Sequence, residues 1–179
     1  MKRPFRWRSW LGVSVGLFLV YGVANLVAPL IVPTMLHLGG PGGAGGALVL
    51  GSAQDAALLG RSLDELGSSD GRLGTFLVTF MDTMCAQMMA FAIFQVAVVW
   101  FALRRGQRWA LWAVLVSDLA TMPYYVLIAA TYASFGVPVA DFFVGYLGFT
   151  IPLTVLPAFF GWLALREPSA WTVGSTIST

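Results

Sequence analysis

The stretch FLVTFMDTMCAQMMAFAIFQVAVVWFAL, Phe76 to Leu103, contains a single charged side chain, Asp82, in 28 residues. As an α-helix rising ~1.5 Å per residue it exceeds what a ~30 Å hydrocarbon layer requires. It shows no alternation of polar and apolar faces, so its solvent is lipid and not water. Three more segments read the same way: Trp10 to Leu36, Trp109 to Ala133 and Phe142 to Leu165. The predicted fold is therefore all-α: a four-transmembrane-helix bundle formed as one integral membrane domain over residues 1–179, with a long outer loop at 37–75.

Composition supports this reading. The chain is 58% hydrophobic and 10% charged, where a soluble domain carries about a quarter charged residues. A net charge of +2 and a pI near 9.0 would suit nucleic acid only if the basic residues formed a run, and they sit at span ends instead. The N-terminal MKRPFRWRSW followed by a long apolar body resembles a signal peptide. No charged side chain appears from Ser9 to Gln54, however, far beyond a ~7–15-residue secretory core, so it reads as a retained first span.

Eight of the ten basic residues fall in three places: Lys2, Arg3, Arg6 and Arg8; Arg104, Arg105 and Arg108; and Arg166. Four spans put all three on one face. Retention of basic span ends makes that face cytoplasmic, with both termini on it, in a multi-pass cell membrane protein of bacterial inner-membrane type. Trp7, Trp10, Trp100, Trp109, Trp112, Trp162 and Trp171 fall at the same edge. In the outer loop, GGPGGAGG (39–46) has nothing to bury. In QDAALLGRSLDEL, Leu59, Leu63 and Leu66 recur at helical spacing, with Asp55, Arg61 and Asp64 pointing elsewhere, which predicts one short amphipathic helix on the membrane surface. The tail PSAWTVGSTIST is polar and short.

Two carboxylates enter the membrane, Asp82 and Asp118. At mid-bilayer each costs from ~2.5 kcal/mol upward, so such groups face the bundle interior. Each heads a polar stripe: Thr75, Thr79 and Asp82 in span two; Asp118, Thr121 and Tyr125 in span three. Tyr21 and Asn25 in span one, and Tyr146, Thr150 and Thr154 in span four, recur every fourth residue. Four stripes imply one shared interior, and counting along the spans places the two acids within ~10 Å along the membrane normal. No Lys, Arg or His lies inside a span to neutralise them, and His37 stands alone at headgroup level. The candidate ligand-binding set is Asp82, Asp118, Thr79, Thr121, Tyr125, Asn25, Tyr21, Tyr146 and Thr150. In the alternative, one or both acids are protonated and act as hydrogen-bonded polar glue.

Two carboxylates without histidine form no recognised metal motif, so neither metal nor cofactor is expected. Cys85 is a packing residue and the methionines at 81, 84, 88 and 89 fill gaps. Pro123, Pro152 and Pro157 free the carbonyls of Leu119, Gly148 and Leu153 and kink their spans, as Pro29 and Pro33 do in span one. Gly12 and Gly16 form a GxxxG suited to close helix contact, within the bundle or between chains.

The order of these features resembles the small four-span EXPERA and DoxX-like membrane proteins. The features are a long first outer loop, an acid early in span two (FLVTFMDTM), a tight basic turn followed by tryptophan (LRRGQRW), a polar site in span three (VSDLATMP) and a doubly proline-broken span four (IPLTVLP). The resemblance covers most of residues 10–165. It implies an intramembrane pocket for sterol-like or cationic amphiphiles, with Asp82 and Asp118 as acid anchors. The isomerases in that group use a histidine among acids inside the bundle, and here His37 is expected outside it.

The function expected from the sequence is binding of a hydrophobic or cationic amphiphilic ligand, lipid- or sterol-like, in an intrabundle cavity. The alternatives are an accessory or assembly subunit of a larger membrane complex and a lipid-modifying, isomerase-type enzyme. Partners expected are the lipid bilayer, a hydrophobic small molecule, and further copies of the chain or a larger membrane complex, with no nucleic acid.

Overall fold

The computed structural model describes residues 5–43, 45 and 47–166. Lys2, Arg3, Trp171 and the PSAWTVGSTIST tail lie outside the described residues. All elements within them are helical: α1 (Trp10–Gly39), α2 (Ser52–Leu59), α3 (Leu63–Ser69), α4 (Gly71–Phe101), α5 (Arg108–Leu119), α6 (Met122–Ser134), α7 (Ala140–Thr150) and α8 (Leu156–Arg166). A 3₁₀ turn at Leu103–Arg105 extends α4, and a π-turn at Ile151–Val155 joins α7 to α8. Four helical stretches are long and apolar enough to cross a membrane: Trp10–Gly39, Gly71–Arg105, Arg108–Ser134 and Ala140–Arg166. Each is longer than the apolar run that predicted it, so His37 falls within the last turn of α1 and not beyond it.

Local chemistry sets the ends. Ser9 caps α1, its hydroxyl accepting from the Gly12 amide at 3.1 Å, and Asp70 caps α4 by accepting from the amides of Arg72 and Leu73. Span three bends at Ala120–Thr121, where Pro123 opens α6 within its first turn. In span four, Pro152 lies inside the π-turn, where the Leu156 amide reaches back five residues to the Ile151 carbonyl.

The single loop helix expected over QDAALLGRSLDEL is two helices. Gly60 adopts a left-handed conformation (φ 72°) that ends α2. Ser62 and Glu65 then start α3 with a reciprocal capping box. The break rotates the leucines apart: Leu63 and Leu66 are buried, whereas Leu59 is exposed. Asp55, expected to point away from the leucine face, is buried as deeply as Leu63 and Leu66, at 1% exposed.

Packing is densest at the arginine end. Val15 and Phe18 of α1, Val98 and Val99 of α4, Leu103, Leu111 and Val114 of α5 and Ala158 of α8 form one buried cluster. α1 is the central element, packing on both α4 and α8. Its close approaches use Gly22, where a Cβ would fall 2.7 Å from Val96 Cγ2, and Gly161 of α8, where a Cβ would fall 2.7 Å from Ser14 Oγ and from Leu111 Cδ1. Gly16 of the GxxxG pair has no atom within 4 Å of such a Cβ, and Gly12 meets only its own preceding turn. The contact between chain segments is therefore made elsewhere along α1.

At the same end Trp7 lies near Trp100, and Trp10 stacks on Phe160. The Arg104 guanidinium sits 4.3 Å over the Trp100 ring. Toward the loop end the chain opens, and a small cluster of Leu50, Tyr132 and Val137 holds the loop to span three. Val20, Leu30, Phe94, Val116, Leu127 and Val144 project outward, an apolar exterior that water would not support and lipid does.

Candidate functional site

Asp118, one residue before the end of α5, is 4% exposed. Gln95 of α4 faces it and is equally buried, its side-chain amide donating to Asp118 Oδ2 at 3.4 Å. Both side chains keep one oxygen, Gln95 Oε1 and Asp118 Oδ1, buried without a donor. Thr150 and Thr154 add two more buried hydroxyls with no partner.

The last two stand out against the other described threonines. Thr34, Thr75, Thr79, Thr83 and Thr131 each donate to the carbonyl four residues back, the usual way for a mid-helix hydroxyl to satisfy itself. Thr154 lies in the π-turn, which packs against α1 and α5. Proline at 152 and at 157 also removes two backbone donors from that segment.

Around this core stand the aromatic members of the expected set. Tyr21 packs on Phe149 with ring centroids 5.9 Å apart and lies within electrostatic range of Asp118, Tyr125 and Tyr146. Asn25 Nδ2 donates to the Tyr21 carbonyl at 3.1 Å. Thr121 Oγ1 donates to the Asp118 carbonyl at 2.8 Å and stands 3.5 Å from the Tyr146 hydroxyl. Tyr125 and Tyr146 pack with centroids 4.4 Å apart, and Phe142 stacks on Tyr146. Asp118, Thr121, Tyr125, Tyr21, Asn25 and Tyr146 are thus drawn into one neighbourhood, and Thr150 is buried one turn beyond Tyr146 on α7.

Asp82 and Thr79 stand apart from it. Asp82 Oδ2 lies 2.9 Å from His37 Nε2, an ion pair when the ring is protonated, and the Asp82 side chain is 35% exposed. Thr79 is exposed and bonded to its own helix. The expectation that both acids turn to a common hollow without a basic neighbour is corrected on both counts: the acids occupy separate surroundings, and His37 is not alone. The reason is depth. Arg105 and Arg108 flank the tight turn between α4 and α5, so depth in both helices is measured from that turn. Gln95 and Asp118 each lie ten residues from their flanking arginine, whereas Asp82 lies 23 from Arg105, about 20 Å farther along the bundle than Asp118.

Gln95 is the site residue that sequence reasoning missed. Its signal was the same count, which pairs the buried amide with Asp118 across the turn. Asp55 was missed too. Its carboxylate accepts from the amides of Leu48, Val49 and Leu50 at 2.5, 2.9 and 3.2 Å and from the Tyr132 hydroxyl at 2.7 Å. That fastens the loop to span three and is a structural role. Among the described residues no three His, Cys, Asp or Glu side chains converge on a point where they could hold a metal ion.

Gln95 Oε1 and Asp118 Oδ1 are two buried acceptors without a donor, which favours a group that donates. Compared with known proteins, the chain matches no family model, no curated protein and no solved structure.

Proposed function

We propose that this is a multi-pass cell-membrane protein, with its arginine-rich end and both termini cytoplasmic, that holds a hydrophobic amphiphile whose cationic or hydroxyl-bearing head docks at Asp118. The single observation that supports this is the pair of buried oxygens Gln95 Oε1 and Asp118 Oδ1, on two side chains in contact, that have no partner. Each unsatisfied buried polar atom costs about 1–3 kcal/mol, and a donor head would satisfy both. The apolar body would lie between the loop-end halves of spans three and four, along Tyr125, Phe142 and Tyr146. Asp82 takes no part in this reading: His37 meets its Oδ2, and its unpartnered Oδ1 lies about 20 Å along the bundle from Asp118.

Native mass spectrometry of gently extracted protein tests the proposal. A retained small molecule is expected in the wild type and is lost in Asp118→Asn, which removes the charge and replaces one acceptor oxygen by a donating NH2. A wild type that carries no adduct under any mild extraction, or an adduct indifferent to Asp118→Asn, would overturn it.

A further inference from the structure

Arg108 and Trp112 occupy successive turns on one face of α5, and Trp162 and Arg166 do so on α8. The two helices run in opposite directions, so each contributes an arginine at the rim and an indole one turn deeper. Between them is a cleft of about 140 Å³ lined by Arg108, Leu111, Trp112, Trp162, Leu165 and Arg166.

The two arginines are held differently. Arg108 Nη2 donates to the Leu165 carbonyl at 2.5 Å, tying α5 to the end of α8. The Arg166 guanidinium lies 4.2 Å over the Trp162 ring. Among the described residues the only ion pair is His37 with Asp82, so neither arginine meets a carboxylate there. Glu167 lies outside the described residues. A guanidinium has five N–H donors, and both of these side chains line the cleft with most of theirs not engaged by those contacts.

We propose that this cleft seats the phosphate headgroup of an anionic glycerophospholipid from the leaflet at the arginine end. Arg108 and Arg166 hold the phosphate; Trp112 and Trp162 flank the glycerol; Leu111 and Leu165 meet the start of the acyl chains. The order charge, indole, aliphatic along the membrane normal matches the order of a phospholipid, and a free phosphate would leave the indoles and leucines without a role. The site is separate from Asp118 and does not depend on the reading given there.

The test is native mass spectrometry of the full chain released from micelles doped with equal amounts of phosphatidylglycerol and phosphatidylcholine of identical acyl chains. The wild type should retain phosphatidylglycerol preferentially. Arg166→Gln should lower that preference about fivefold, and Arg108→Gln with Arg166→Gln should abolish it. Arg72→Gln, at the opposite end, should leave it unchanged. Arg166→Gln keeps the test decisive if loss of the Arg108 contact unfolds the double variant, because among the described residues Arg166 meets the Trp162 ring and ties no two helices together. Equal retention of the two lipids, an unchanged preference in Arg166→Gln, or displacement of phosphatidylglycerol by millimolar inorganic phosphate would each overturn the proposal.

Discussion

His37 Nε2 lies 2.9 Å from Asp82 Oδ2, joining α1 to α4 across 45 positions of sequence. The contact falls on the register that Gly22 and Val96 set near the middle of the same helix pair. Moving fifteen residues along α1 from Gly22 reaches His37, and moving fourteen back along α4 from Val96 reaches Asp82. One antiparallel alignment explains both the glycine contact and the ion pair.

The pair should therefore show coupling. In a double-mutant cycle with His37→Ala and Asp82→Asn, read by thermal unfolding in detergent, the interaction energy should be about 0.2–1 kcal/mol, as for a partly exposed pair. Strict additivity would show that the two side chains do not meet.

Glycine positions give a sharper test of packing. Gly22→Leu and Gly161→Leu each force a side chain into occupied space and should destabilise the fold by about 1–3 kcal/mol. Gly16→Leu enters open space and should change stability by less than about 0.5 kcal/mol. Melting temperatures of the three variants in one detergent decide this, and a Gly16 variant as unstable as the other two would contradict the helix contacts described.

Asp55 anchors the loop through three backbone amides and Tyr132. Asp55→Ala strands those donors, so the amides of Leu48, Val49 and Leu50 should lose hydrogen-exchange protection by at least about tenfold, a local loss on the order of 1–3 kcal/mol. Tyr132→Phe removes one donor and should lose less. Protection in α4 should not change in either variant.

The spans were legible because lipid demands length and apolarity, both written directly in residues 10–165. The Asp118, Thr121 and Tyr125 spacing assumes one continuous helix, whereas span three breaks at Ala120–Thr121 between α5 and α6, and Thr121 meets Asp118 through its carbonyl. The loop was less legible. The leucine spacing across Gly60 fits a helix, but a left-handed glycine followed by the Ser62–Glu65 capping box restarts the chain in a new direction. The depth of Asp82 was not legible, because the apolar run begins at Phe76 while α4 begins at Gly71, so the edge of the run is no measure of depth. Counting from the arginine turn, a fixed point shared by both helices, separates Asp82 from Asp118 and pairs Asp118 with Gln95.

The most direct test of the account compares Asp118→Asn with Asp82→Asn for retention of the co-extracted small molecule in native mass spectra. The account predicts that the Asp118 variant loses the adduct by about tenfold or more, equivalent to ~1.4 kcal/mol or more, while the Asp82 variant keeps it at the wild-type level. Loss in the Asp82 variant with retention in the Asp118 variant would contradict it.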